Sequence, residues 1–239
     1  MTDGMADRVA VITGAAGPLG RALAVDLGAA GARVALVGRR RERLDDLAAE
    51  LELPADRWIT IGADLREPAA ADDVVRATIK QFGRIDVLAH LVGGYLGGIA
   101  LLELDPGDIG EMLDRHLWTT LHMVRAVVPS MTAAGWGRIV TVSSPVATSP
   151  PARTAPYAIG KAAGEILLLG LARELAGSGV TANVIQVRAI DAEHKRDREP
   201  SAKTASWATP EEIVAAIRYL CSEQGGRVNG SRIPLHGAA

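Results

Sequence analysis

Short runs rich in valine and isoleucine alternate along this chain with longer segments of helical spacing, from Val9-Ala10-Val11-Ile12 to Ser231-Arg232-Ile233. Strands that are apolar at consecutive positions are covered on both faces, and strand–helix–strand alternation returns each strand parallel to the last. The pattern predicts a doubly wound α/β fold, a seven-stranded parallel sheet with helices on both faces in three α/β/α layers. Strands are read at Arg8 to Thr13, Arg33 to Val37, Trp58 to Gly62, Val87 to Leu91, Gly137 to Ser143, Thr181 to Val187 and Ser231 to Leu235. Helices are read at Gly20 to Ala30, Arg41 to Leu51, Pro68 to Phe82, Pro106 to Ala133, Pro156 to Ala176 and Pro210 to Cys221, introduced by proline or polar residues. With 239 residues the chain accommodates one such domain, residues 1–239. The stretch Ala189 to Ala205 lacks periodicity and mixes charges from Asp191 to Glu199; it reads either as a solvated connector or as a substrate lid near residues 189–207.

Composition narrows the function classes. A net charge of −2 with no long run of lysine or arginine argues against nucleic acid as a partner. The lone Cys221 leaves no internal disulfide framework and no cysteine-based metal cluster, and reads as a small buried apolar residue in a reducing compartment. Met1 to Arg8 has neither the charge order nor the length of a signal peptide, and no stretch is read as the roughly 18 apolar residues of a membrane span. The expectation is a cytoplasmic protein with no membrane partner, no metal and no flavin.

The first strand runs into Thr13-Gly14-Ala15-Ala16-Gly17-Pro18-Leu19-Gly20 and then a helix. Glycines there let backbone amides and a positive helix end meet a pyrophosphate, so Gly14, Ala16, Gly17, Leu19 and Gly20 are candidates for dinucleotide binding; a tight turn without ligand is the alternative. After the second strand comes Val37-Gly38-Arg39-Arg40-Arg41, with no acid to hold a ribose 2′-hydroxyl. A guanidinium suits a 2′-phosphate, so Arg39 predicts NADP(H) over NAD(H).

Tyr157 and Lys161 lie four apart at a helix start, hence on one face, where an adjacent ammonium together with a positive nicotinamide ring favours the phenolate and draws the tyrosine pKa down. Ser144 ends the fifth strand, at the edge where doubly wound sheets place ligands. Together, the glycine turn, Gly137-Arg138-Ile139-Val140-Thr141-Val142-Ser143-Ser144 and Tyr157-Ala158-Ile159-Gly160-Lys161 resemble the short-chain dehydrogenase/reductase family over essentially the whole chain. The resemblance implies a Rossmann-type fold and hydride transfer between a nicotinamide and a carbonyl or alcohol substrate. Tyr157 would be the acid and base, Ser144 would hold the substrate oxygen, and Lys161 would orient the ribose. It further implies Asp64 and Leu65 at the adenine, Gly93 close to the cofactor, the Ile190 backbone at the carboxamide, and a homotetramer or dimer built on the helices 106–133 and 156–176.

The chain departs from the family pattern at several points. Pro18 stands where a glycine is usual and removes one amide donor. The usual N-N-A-G becomes His90-Leu91-Val92-Gly93, and the asparagine of the catalytic tetrad becomes His116, read either as a proton relay through water or as a packed histidine. The usual P-G becomes Val187-Arg188, which makes Arg188 a candidate for an anionic substrate, a cofactor phosphate or a surface ion pair, and the threonine that follows becomes Ala192. These departures keep open an alternative, a catalytically impaired member that binds dinucleotide or a partner. The loop Gly93 to Ile99 and the segment Pro145 to Pro156 are expected to line the substrate pocket.

Overall fold

A computed structural model describes residues 4–236. The chain order is β1 (Val9–Thr13), α1 (Pro18–Ala29), β2 (Arg33–Gly38), α2 (Arg41–Glu50), β3 (Trp58–Gly62), α3 (Pro68–Phe82), β4 (Val87–His90), α4 (Pro106–Leu113), α5 (Thr119–Ala133), β5 (Gly137–Ser143), α6 (Ala155–Glu174), β6 (Val180–Gln186), α7 (Lys195–Arg198), α8 (Pro210–Cys221) and β7 (Arg232–Pro234). All seven strands pair in parallel in the order β3-β2-β1-β4-β5-β6-β7. This is the Rossmann-type doubly wound sheet. The chain leaves β1 toward one side and returns as β4 on the other, so the crevice of the fold opens at the carboxyl ends of β1 and β4.

Burial on both faces is written into the strands. Ala10 and Ile12 of β1 face Leu23 and Leu27 of α1, Leu44 of α2 and Ile213 of α8. Val9 and Val11 face the other layer, with Val74 of α3, Met123 of α5 and Leu168 of α6. Each large aliphatic side chain removed from water there contributes about 1.5–3 kcal/mol. Cys221 is buried with its thiol pushed up to about 12, as burial of a small apolar residue requires.

Three expectations need correction, and one stretch gains detail. Helix α1 begins at Pro18 rather than Gly20, because proline fits the first helical position, where the missing N–H has no intrahelical partner anyway. The segment 106–133 is not one regular helix: α4 and α5 are joined by a π-helical turn over Asp114–Trp118. It packs closely on α6, where a Cβ added to Gly160 would stand 2.7 Å from the Met112 carbonyl oxygen and one added to Gly164 2.7 Å from that of His116. The stretch 189–205 holds the short α7, with both Asp191 carboxylate oxygens accepting from the Lys195 and Arg196 amides at 2.8 Å. Finally, α6 is 20 residues long with a mean hydropathy of 1.2, long and apolar enough to cross a membrane by length and composition. One face of it, with Leu168 and Ala172, is buried against the sheet.

Candidate functional site

The turn after β1 is closed by contacts that only glycine permits. Gly14 has φ +68°, and a Cβ on it would lie 2.8 Å from the Leu91 carbonyl oxygen. A Cβ on Gly20 would lie 2.5 Å from the Gly14 oxygen, so α1 starts directly against the turn. Gly17 is the N-cap of α1. Two cavities meet at this turn. One, of about 320 Å³, is walled by Gly14, Gly17, Arg39, Asp64, Leu65, Arg66 and Arg115 among others. The second, of about 460 Å³, runs past Leu19, Gly20, Gly93, Tyr95, Tyr157, Lys161 and Arg188 to Ile190. Ala16 lines neither. The glycine turn, the helix start and the basic end of the first cavity fit an elongated dianionic cofactor.

The basic end of the first cavity holds a pair that sequence reasoning missed. Arg66 Nε donates to Asp64 Oδ1 at 2.9 Å and its terminal nitrogen holds Oδ2. These hydrogen bonds keep the Asp64 carboxyl down at about 2. The i, i+2 spacing after a strand end was the only signal for it.

His90 knits the crevice together. The Leu91 N–H donates to Thr13 Oγ1 at 3.1 Å, and Thr119 Oγ1 donates to the Arg115 carbonyl at 2.8 Å. The Thr13 hydroxyl is thereby left to donate to His90 Nδ1 at 2.9 Å, and His90 Nε2–H to donate to Thr119 Oγ1 at 3.2 Å. Burial first, then the Lys161 charge, push His90 down to about 3, so it is a neutral clamp between β1, β4 and α5. Nothing in the strand pattern announced this; it depends on which strands become neighbours.

At the carboxyl edge of β5 and β6, Ser144, Tyr157, Lys161 and His116 come together. Burial raises the Tyr157 pKa, a hydrogen bond with Ser144 opposes the rise, and Tyr95, whose ring packs edge-on at 5.1 Å, adds to it. Burial thus dominates the protein's own groups around Tyr157. Lys161 Nζ donates to the Val142 carbonyl at 2.9 Å and stands 5.8 Å from the Tyr157 ring centre. Lys161 itself is pushed down to about 8 by burial, partly offset by Glu165 one turn on. Glu165 is 1% exposed, with its oxygens taken by Gln186 Nε2 at 3.0 Å and Arg232 Nε at 2.5 Å. His116 Nε2 donates to the Gly94 carbonyl at 3.0 Å while its ring meets the Tyr157 edge at 5.7 Å. Burial and the Lys161 charge hold His116 at about 3, so it stays neutral at working pH. Among the described residues no cluster of metal-ligating side chains occurs.

The loop beyond β6 is tied at its base, where Ala208 N–H donates to the Ala189 carbonyl at 3.1 Å and Asp191 N–H to that of Ala208 at 2.8 Å. This bridge holds Arg188, Ala189 and Ile190 against the second cavity.

Comparison with known proteins agrees with this geometry. A family model described as short chain dehydrogenase matches residues 8–203. The chain is 32% identical to a 1,6-dihydroxycyclohexa-2,4-diene-1-carboxylate dehydrogenase of Pseudomonas putida, covering 96% of this chain and 91% of that protein. It is 31% identical to a (2S)-[(R)-hydroxy(phenyl)methyl]succinyl-CoA dehydrogenase subunit of Thauera aromatica, covering 95% and 92%. Among solved structures, levodione reductase superposes with a TM-score of 0.87 at 27% identity over 97% of each chain. Sheet order, glycine turn and family match agree: the chain belongs to the short-chain dehydrogenase/reductase family of NAD(P)-dependent oxidoreductases.

Proposed function

We propose that this protein transfers a hydride between NADP(H) and a carbonyl compound or secondary alcohol, with Tyr157 as acid and base. The observation that carries the reading is the convergence of Ser144, Tyr157 and Lys161 beside the cavity that begins at the glycine turn. A dinucleotide held by Gly14, Gly17, Leu19 and Gly20 would supply or accept the hydride at its nicotinamide. In reduction Tyr157 gives its hydroxyl proton to the substrate oxygen; in oxidation it takes that proton back. Ser144 donates a hydrogen bond to the same oxygen, where negative charge builds. Lys161 exchanges the Val142 carbonyl for ribose hydroxyls, and its charge then counters the burial that raises Tyr157. His116 is a positioning residue that holds the Gly94 carbonyl and the Tyr157 edge.

Arg39 takes the 2′-phosphate, with Asp64 and Leu65 at the adenine, Gly93 beneath the nicotinamide half and the Ile190 backbone at the carboxamide. The chain acts as one domain with residues 189–207 as its lid, as a cytoplasmic dimer or tetramer through α5 and α6. An apolar depression walled by Leu121, Val124, Val128, Leu167 and Leu171 supports that interface. A second reading, dinucleotide binding without turnover, is favoured by one observation, the commitment of the Lys161 ammonium to the Val142 carbonyl at 2.9 Å, 5.8 Å from the Tyr157 ring centre.

Titration with NADPH and NADH, followed by nicotinamide fluorescence, tests the reading first. NADPH is expected to bind more tightly, with the preference lost in Arg39→Ala; equal affinities in the unaltered protein would remove the NADP(H) assignment. Binding without turnover on a panel of ketones would leave the second reading.

A further inference from the structure

Beyond the hydride chemistry, and resting on it for the placement of substrate, we propose that Arg188 forms a carboxylate-binding subsite that selects anionic substrates. The Val187 N–H still pairs with the Ser143 carbonyl at 3.0 Å, so Arg188 is the first residue beyond the carboxyl edge of the sheet. Its side chain enters the wall of the 460 Å³ cavity that also contains Tyr95, Tyr157 and Lys161. That wall carries no acidic residue; its two charged members are Lys161 and Arg188.

The two cations differ in how they are committed. The Lys161 ammonium donates to the Val142 carbonyl. Arg188 is exposed and makes no hydrogen bond or ion pair among the described residues. The acid next along the chain, Asp191, is already engaged through both oxygens by the Lys195 and Arg196 amides. A guanidinium left open at the mouth of an acid-free cavity presents the fork that binds a carboxylate through two parallel hydrogen bonds. The base of the loop, bridged between Ala189 and Ala208, holds the backbone from which it projects. A cofactor phosphate offers the same chemistry, but the glycine turn and the start of α1 are the proposed seat of that group, and Arg188 is assigned to the substrate.

Calorimetric titration tests this without requiring turnover. Benzoate and cyclohexanecarboxylate are compared with their uncharged amides on the NADP⁺-bound protein, for the wild type, Arg188→Gln and Arg188→Lys. The acids are expected to bind roughly tenfold more tightly than the amides, a gap that closes in Arg188→Gln and partly returns in Arg188→Lys. Equal binding of acid and amide in the wild type would overturn the proposal. So would a gap that survives Arg188→Gln, since Lys161 would then be the anchor, or a variant that weakens NADP⁺ binding while leaving the gap intact. Failure of the dinucleotide reading shows separately, as absence of an NADP⁺ heat with acid discrimination preserved on the cofactor-free protein.

Discussion

Tyr157 and Lys161 are set against each other by burial, which disfavours the charged form of both. Replacing Tyr157 with phenylalanine removes the hydroxyl proposed as proton donor while keeping the ring packed against Tyr95 and His116. Turnover should fall about a hundred- to ten-thousandfold with dinucleotide affinity retained, measured by steady-state kinetics beside fluorescence titration. Lys161 has a folded pKa of about 8, below its ordinary 10.5, so the charged side chain costs stability at pH below 8 and the cost disappears as pH rises toward 10.5. Lys161→Met is therefore expected to stabilise the cofactor-free protein at pH 7 by about 1 kcal/mol in urea melts, a figure discounted because the residue borders an open cleft. The same titration predicts that NADPH affinity declines as pH rises through about 8, where the ammonium is lost.

At the scale of elements, the π-turn between α4 and α5 decides where His116 lies. Gly160 and Gly164 let the α6 backbone approach it under Met112 and His116. Gly164→Val would drive a side chain into the His116 carbonyl, 2.7 Å from the Cβ position, and overpacking of this kind costs about 1–3 kcal/mol. A lowered melting temperature together with a weaker kcat is the expected outcome. A melt change with kcat untouched would show that the turn does not position the site.

For the whole molecule, acid is the expected weakness. His90 and His116 are both buried and held near 3, so between about 6.5 and 3 the unfolded chain binds more protons than the fold does. Stability should fall as pH drops through that window, and His90→Asn should soften the fall in pH-dependent thermal melts. Assembly supplies a second test. Ile166 is 66% exposed on α6, the helix whose Leu167 and Leu171 line the apolar depression, and Ile166→Glu is expected to convert a dimer or tetramer to smaller species in light scattering.

The sheet, its helices and the glycine turn were legible because burial on both faces and the strand–turn–helix transition are local patterns; Val9 to Thr13 followed by Gly14 to Gly20 carries both. Ser144, Tyr157 and Lys161 were legible through spacing and strand-end position. The three-piece form of 106–133, the Thr13–His90–Thr119 clamp and the commitment of Lys161 to Val142 were not, because each depends on which distant backbones become neighbours. The raised pKa of Tyr157 belongs with them: residue types in sequence specify which charges exist, while burial, a property of the folded surroundings, decides what those charges cost.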